Sequence, residues 1–225
     1  MIVSVHDDLA AEVASRLVAR LADVQGTDGV ASVVLTGGGI GIASLTAMRS
    51  LNGLDWSRVD VWWGDERFVA ADSPDRNELQ AREALLDHVP VDPARVHPMP
   101  ALSADLDAAA ASYVVPPSFD VLLLGVGPEG HVASIFPSSP AAVDERPVFG
   151  VRNCPKPPPT RISLGFTAIR SARAVWVIAS GAEKASALAA AARGASPVDV
   201  PVAGARGTEE TRWLLDEAAA SQLTP

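Results

Sequence analysis

The chain has 225 residues, of which 48% are hydrophobic and 20% are charged, and its formal net charge is −9 at pH 7. This composition is typical of a globular protein, and we expect a single α/β domain over residues 1–225. The acidic balance argues against nucleic acid as a partner, because binding a phosphate backbone needs a basic face. No apolar run approaches the ~20 residues of a membrane span and no signal-peptide pattern is visible, so we expect a cytoplasmic protein without a membrane partner.

Strands and helices alternate along the first part of the chain. Continuous apolar runs bounded by turn signals predict buried strands, and apolar residues at four-residue spacing behind Asp7 or Asp8 predict the first helix. Strands are predicted at residues 2–5, 30–35 and 59–63, and helices at residues 8–24, 42–51 and 77–86.

The same alternation continues along the rest of the chain. Strands are predicted at residues 96–100, 121–124, 161–164, 174–179 and 197–202, and helices at residues 105–114, 185–193 and 208–220. The proline-rich residues 153–160 are predicted to be extended or turn-like. Strands that alternate with helices predict an α/β fold with a mostly parallel, Rossmann-like sheet flanked by helices.

A glycine loop, Gly37–Gly39, joins a buried strand to a helix. Glycines at such a junction let backbone N–H groups approach an anion, and the helix N-terminus adds partial positive charge. The loop is therefore a candidate phosphate cradle, with a plain tight turn as the alternative. It is not a P-loop, because no G-K-[ST] follows, and its glycine spacing fits a dinucleotide fingerprint poorly.

Asp65 and Arg67 follow the predicted strand at residues 59–63, so they should face the edge of the sheet where ligands bind. A surface ion pair, worth about 0–1 kcal/mol, is the alternative interpretation of such neighbours. Lys184 follows another strand and lies near a helix start, where a cation opposes the helix dipole and is better explained by a bound anion. Arg161 reaches the same edge only if its strand runs antiparallel to its neighbours.

The segment F-D-V-L-L-L-G-V-G-P-E-G-H-V-A-S-I-F-P, residues 119–137, carries the most information. It begins as a buried strand and then breaks into a loop that holds Glu129 and His131 between glycines. A histidine at the carboxyl end of a parallel strand lies where open α/β sheets place their ligands. An ordinary surface or core histidine is the alternative, and it is the interpretation we keep for His6, His88 and His97.

Several blocks of the sequence, in this order, resemble the 6-phosphogluconolactonase family. They are L-T-G-G-G, W-W-G-D-E-R-F-V with D-S-P-D-R-N, the His131 segment, P-K-P-P-P-T-R-I-S-L and W-L-L-D. The resemblance implies a fold similar to that of amino-sugar-phosphate deaminases and ribose-phosphate isomerases. It also implies hydrolysis of a small-molecule sugar-phosphate lactone, 6-phosphoglucono-δ-lactone, without a metal or organic cofactor.

The resemblance also implies roles for particular residues. His131 would act as the base, Glu129 would orient it and Asp65 would lie by the sugar ring, while loop N–H groups and Arg67 are candidate donors to the oxyanion. The phosphate would be held by Gly37, Gly38, Gly39, Arg161 and Lys184, with Lys156 as a further candidate.

The sequence departs from the family pattern at two places. Glu129 stands where many members carry Asp, which lengthens the side chain by one methylene. Gly39-Ile40-Gly41 stands where many carry Ser-Thr-Pro, so a hydroxyl that could bind phosphate is missing and backbone N–H groups must supply more of the contact.

Other functions are weighed against the lactonase. An amino-sugar-phosphate deaminase or isomerase shares the Asp65-Glu66 pair, but such enzymes typically carry an aromatic residue where Arg67 stands. A non-catalytic sugar-phosphate sensor would need an effector module, and no helix-turn-helix segment or basic face is visible. The broken glycine fingerprint disfavours a dehydrogenase, and the single cysteine, Cys154, excludes an internal disulfide and indicates a reduced compartment. We expect a monomer.

Overall fold

The computed structural model of the chain describes residues 1–223. These residues form nine strands: β1 (Ile2–Val5), β2 (Ala31–Leu35), β3 (Val59–Trp63), β4 (Asp65–Arg67), β5 (Val121–Gly125), β6 (Val148–Val151), β7 (Arg161–Leu164), β8 (Ala174–Ala179) and β9 (Glu210–Leu215). The same residues form seven α-helices: α1 (Leu9–Asp28), α2 (Gly39–Met48), α3 (Asn77–Ala84), α4 (Leu106–Ser112), α5 (Phe166–Ser171), α6 (Ala185–Ala192) and α7 (Glu217–Ala220). Within this range no helix is both long enough and apolar enough to cross a membrane.

The main sheet has six strands in the order β1-β9-β8-β5-β2-β3. Every neighbouring pair in it is parallel. Strand β5 lies in the middle, and its alternate side chains enter two different cores: Leu122 and Leu124 pack on one face, whereas Leu123 packs on the other. A strand buried on both faces needs a continuous apolar run. The predicted α/β fold with a parallel sheet flanked by helices is therefore confirmed.

A second, smaller sheet lies beside the first and has the antiparallel order β4-β7-β6. Arg67 of β4 is paired in register with Arg161 of β7. The junction between the sheets is short, because Gly64 follows β3 directly and its carbonyl accepts a hydrogen bond from the Leu164 amide at 2.9 Å. The strand of Arg161 thus runs antiparallel to its neighbours, which is the arrangement that returns Arg161 to the ligand edge.

The end of the chain differs from the sequence prediction. Residues 208–220, predicted as one helix, form β9 and then the short helix α7. β9 fills the position between β1 and β8, where Trp213 becomes buried and Glu210 accepts a hydrogen bond from the Trp176 indole at 2.6 Å. Tertiary packing has overridden the local helical preference of this segment.

Two predicted short strands are also absent among the described residues. Residues 197–202 end in a 3-10 helix, Pro201–Gly204, and the Val202 amide donates to the carbonyl of Gly130 instead of joining a sheet. Residues 96–100 contribute a single bridge between Val96 and Val61. Conversely, β4, β6 and α5 were not predicted.

Candidate active site

An open cleft of about 690 Å³ lies at the carboxyl ends of β2, β5 and β8. The glycine loop Gly37–Gly39 follows β2, the His131 loop follows β5, and Lys184 follows β8. The small sheet adds Asp65 and Arg67 from β4 and Arg161 from β7. Since parallel strands all end at the same edge, residues far apart in sequence are brought to one cleft.

The side chain of His131 is mostly buried and stacks on Phe136, with ring centroids 4.3 Å apart. Its Nδ1 lies 3.2 Å from Glu129 Oε1, which is close enough for an ion pair but lacks the alignment of a formed hydrogen bond. Burial lowers the pKa of His131 below 6.5 and the nearby Lys156 ammonium lowers it further, whereas Glu129 and Asp65 oppose this shift. The net result is an imidazole that stays neutral to lower pH than an unperturbed histidine does.

Glu129 does not line the cleft but lies between two of its residues. One carboxylate oxygen faces His131, and the other lies 3.2 Å from Lys156 Nζ. Burial alone would raise the pKa of Glu129, but its own backbone amide, His131 and Lys156 together hold the pKa below its usual value. Glu129 is therefore ionised when His131 is neutral.

A tight turn fixes the His131 loop. The amide of Gly130 donates to the carbonyl of Gly127 at 2.9 Å, and the amide of Gly127 donates to the carbonyl of His131 at 3.0 Å. A Cβ on Gly127 would overlap the imidazole ring, so only glycine lets the ring fold back over the turn. Gly130 has a φ of 87°, a conformation that favours glycine.

Asp65 lies at the centre of a buried polar network. Its Oδ2 accepts a hydrogen bond from Ser134 Oγ at 2.6 Å and lies 3.6 Å from the guanidinium of Arg161. Asn77 Nδ2 donates to the Asp65 carbonyl at 2.8 Å. Ser134 belongs to the His131 loop, and Arg161 belongs to the small sheet. The Asp65 carboxylate thus links the His131 loop to the small sheet, and these contacts hold the carboxylate in one orientation.

Glu66, next to Asp65, is fully buried and does not line the cleft. Its carboxylate accepts hydrogen bonds from the amides of Arg67, Asn77 and Glu78 at 2.7–2.8 Å, which satisfies donors at the start of α3. Burial raises the pKa of Glu66, although these three amides and Arg76 oppose the shift. Glu66 therefore has a structural role that anchors α3 behind Asp65.

Arg161 holds the proline loop, residues 153–160, in place. Its guanidinium donates to the carbonyls of Lys156, Pro157 and Pro158 at 3.1–3.3 Å, while only 5% of the residue is exposed. The same loop contains a cis peptide bond between Pro157 and Pro158. Arg161 therefore supports the backbone on which Lys156 is mounted, in addition to facing the cleft.

The glycine loop packs tightly at two points. A Cβ on Gly37 would overlap the side chain of Asn77, and a Cβ on Gly41 would lie 2.6 Å from the carbonyl of Thr36. Gly38 is the N-cap residue of α2 and has a φ of 83°. Among the residues that the structure describes, no side chain caps this helix. Its first amides are therefore available to an anion.

Two cations of the cleft, one on each side, are held by local partners. Lys184 Nζ lies 3.0 Å from Glu183 Oε1, and Arg67 donates to the carbonyl of Asp75. Both side chains line the cleft. A phosphate would therefore meet Lys184 next to one neutralising carboxylate.

The structure places nine of the ten predicted site residues around the cleft, and Glu129 directly behind His131. Two further polar residues, Asn77 and Ser134, were missed by the sequence analysis. Asn77 was visible only as the end of the D-S-P-D-R-N block, and Ser134 as a single polar residue in an apolar segment.

His97 lies outside the cleft, where its ring stacks on Trp62 with centroids 3.9 Å apart and pairs with Asp60. Within residues 1–223, no three His, Cys, Asp or Glu side chains form a metal-binding group.

The sequence matches the family described as glucosamine-6-phosphate isomerases/6-phosphogluconolactonase over residues 4–213. A 6-phosphogluconolactonase from Streptomyces coelicolor is 51% identical, in an alignment that covers 97% of this chain and 93% of the relative. These matches span nearly the whole chain.

Two solved structures show the same architecture. The crystal structure of 6-phosphogluconolactonase from Leishmania guyanensis has a TM-score of 0.85 at 26% identity and covers 100% of this chain and 99% of its own. A monomeric glucosamine-6-phosphate deaminase has a TM-score of 0.81 at 19% identity and covers 99% of this chain and 100% of its own, a likeness that concerns the fold alone. The chain therefore belongs to the glucosamine-6-phosphate isomerase/6-phosphogluconolactonase family.

Proposed function

We propose that this chain hydrolyses 6-phospho-D-glucono-1,5-lactone to 6-phospho-D-gluconate, the lactone step of the oxidative pentose phosphate pathway. The observation that carries the proposal is His131, which is paired with Glu129 and shares one cleft with the glycine loop and Lys184. A base beside an anion-binding loop suits a substrate that has both a reactive carbonyl and a phosphate. The similarity to 6-phosphogluconolactonases along almost the whole chain supports the same reaction.

The position of Glu129 determines which imidazole nitrogen acts. A carboxylate 3.2 Å from Nδ1 favours a proton on that nitrogen. Nε2 of the neutral ring then carries the free lone pair and is the atom that accepts a proton from water. Because burial lowers the pKa of His131, the ring is largely in this reactive form at pH 7.

The proposed reaction has two proton transfers. His131 Nε2 takes a proton from water while the water oxygen bonds to the lactone carbonyl carbon. The tetrahedral intermediate then breaks its bond to the ring oxygen, and the imidazolium returns the proton to that oxygen. Acid–base help of this kind is worth roughly 10²–10⁴-fold. These steps use no metal ion and no organic cofactor.

The remaining predicted residues bind and orient the substrate in this scheme. In this proposal Arg67 stabilises the oxyanion of the intermediate, and Asp65 accepts a hydrogen bond from a hydroxyl of the sugar ring. The glycine loop supplies backbone amides to the phosphate, and Arg161 and Lys184 supply positive charge. The network around Asp65 fixes that carboxylate before the substrate arrives.

The test uses freshly generated 6-phospho-D-glucono-1,5-lactone with a chelator present. Wild type is compared with His131→Ala, and rates are corrected for spontaneous hydrolysis. We expect fast hydrolysis by wild type and a loss of at least about 100-fold in the variant, with substrate binding little changed. A wild-type rate no faster than the spontaneous reaction would overturn the proposal, and glucosamine 6-phosphate would then be assayed for deamination.

We also propose that the protein acts as a monomer in the cytoplasm. The proposal is supported by the cleft, in which base, glycine loop and cations all come from a single chain. Light scattering at micromolar concentration tests the oligomeric state, and a mass of twice 23.3 kDa would contradict it.

A further inference from the structure

One carboxylate in the site has two partners. Glu129 Oε1 lies 3.2 Å from His131 Nδ1, and Glu129 Oε2 lies 3.2 Å from Lys156 Nζ. The Lys156 ammonium is therefore already engaged with the residue that orients the base. This contact distinguishes Lys156 from Lys184, the only other lysine in the sequence, whose partner is Glu183.

The backbone under Lys156 is held rigidly. Buried Arg161 donates to the carbonyl of Lys156 at 3.1 Å and to those of the two following prolines. The amide of Cys154 donates to the carbonyl of Pro159 at 2.9 Å and closes the loop. A lysine on a closed, braced loop presents its charge at a defined place, unlike a lysine on a mobile surface segment.

We propose that Lys156 is a positioning residue of the reaction: it fixes the Glu129 carboxylate beside His131 and uses its charge to keep the imidazole neutral. The inference rests on the proposed lactonase function and changes the predicted role of Lys156, which the sequence had suggested only as a further candidate for the phosphate. Of the two lysines, Lys184 is then the one that contributes to phosphate affinity.

The charges around His131 support this assignment. Burial is the main reason that the pKa of His131 is lowered, and Lys156 is the next contribution in the same direction. Glu129 and Asp65 act in the opposite direction. Removing the Lys156 charge takes away one of the influences that lower the pKa of His131, while the two carboxylates that raise it remain. The pKa of His131 should therefore rise. The other charged side chains that line the cleft are Arg67, Arg161, Glu183 and Lys184.

The test compares Lys156→Met with the matched variant Lys184→Met. For each, kcat/KM is measured from pH 5.5 to 8 with the phosphorylated lactone, and KM is measured with phosphorylated and unphosphorylated lactone. In Lys156→Met we expect kcat/KM at pH 6, relative to pH 8, to fall by at most about 5-fold, the factor that corresponds to loss of a partly exposed charge pair worth up to about 1 kcal/mol. In Lys184→Met we expect a higher KM for the phosphorylated lactone only, with the pH profile unchanged.

Lys156→Arg keeps the charge and is expected to restore the wild-type pH profile. The inference is overturned if Lys156→Met raises KM for the phosphorylated lactone alone and leaves the pH profile where it was. That result would make Lys156 a phosphate ligand.

A second measurement is independent of turnover. The His131 ring protons are followed by NMR against pH in substrate-free wild type and Lys156→Met, with His131→Asn used to assign the signal. Titration at higher pH in Lys156→Met supports the inference, and unchanged titration overturns it. Because no substrate is present, this readout remains valid even if the lactonase assay fails, so the two failures can be told apart.

Discussion

The two sides of the cleft hold their residues by different means. The cradle side, which comprises Gly37–Gly39 and Lys184, offers backbone amides at the start of α2 and one cation. The base side, which comprises the His131 loop and the small sheet, is a network of side chains that bond to one another across the two sheets. Backbone amides tolerate most changes of side chain, whereas a side-chain network depends on each member. Substitutions on the base side should therefore be the more damaging.

The largest effect is expected at the base itself. His131→Asn keeps a polar side chain of similar size but removes the proton acceptor, and we expect kcat to fall roughly 10²–10⁴-fold with KM changed by only a few-fold. Steady-state assays of lactone hydrolysis measure both constants. His88→Asn is the control, because His88 is exposed and its ring is hydrogen-bonded to the carbonyl of Glu83, away from the cleft. A kcat for His131→Asn within tenfold of wild type would remove His131 from the chemistry.

The next largest effect is expected from a single methyl group under the imidazole. In Gly127→Ala the new Cβ would overlap the ring of His131, so the ring must shift. A misplacement of about 1 Å can cost about 100-fold in rate. We expect kcat to fall by about that factor while the protein still folds, as measured by kinetics and far-UV circular dichroism.

Gly26→Ala is the matched control for this substitution. Gly26 lies inside α1, and a Cβ there would meet nothing within 4 Å. Replacing an unstrained helical glycine with alanine stabilises a protein by about 0.4–1 kcal/mol. An equal loss of activity in both alanine variants would show that the effect of Gly127→Ala is not specific to the imidazole.

Two buried serines allow the sides of the cleft to be compared in stability. Ser134 on the base side donates to the Asp65 carboxylate, whereas Ser44 in α2 donates to the carbonyl of Ile40 one turn earlier. Loss of a donor leaves a buried carboxylate less satisfied, and we expect Ser134→Ala to cost about 1–3 kcal/mol. Ser44→Ala removes only a local helix contact and should cost less. Urea unfolding measures both, and a larger cost for Ser44→Ala would reverse the comparison.

The cradle side is also the part of the molecule that the sequence predicts best. Its strands are continuous apolar runs, and glycine or polar residues follow each run at the ligand edge. Because parallel strands end at one edge, the positions of the glycine loop and Lys184 followed from local patterns alone, as did that of the His131 loop on the base side.

The small sheet was not predicted, because its strands carry little local signal. β4 has the polar sequence Asp-Glu-Arg, and it becomes a strand only through pairing with β7, about a hundred residues further along the chain. Likewise Ser134 and Asp65 are 69 residues apart, and nothing near either residue predicts their hydrogen bond. The sequence could not predict the contacts of the site that depend on tertiary pairing. The contact of Glu129 with Lys156 is one of them.

The smallest expected effect concerns the response of the base side to acid. An unperturbed histidine with a pKa of 6.5 would be about one-quarter neutral at pH 6. Burial lowers the pKa of His131, so protonation, which abolishes its ability to accept a proton, begins at lower pH. We therefore expect kcat/KM at pH 6 to remain above about one-quarter of its value at pH 8, measured after subtraction of spontaneous hydrolysis.

Glu129→Gln removes a charge that favours protonation of His131 and should move the acid limb of the pH profile to still lower pH, although kcat falls because the ring is less well oriented. A limb that moves to higher pH in Glu129→Gln would show that Glu129 does not act on His131 through its charge.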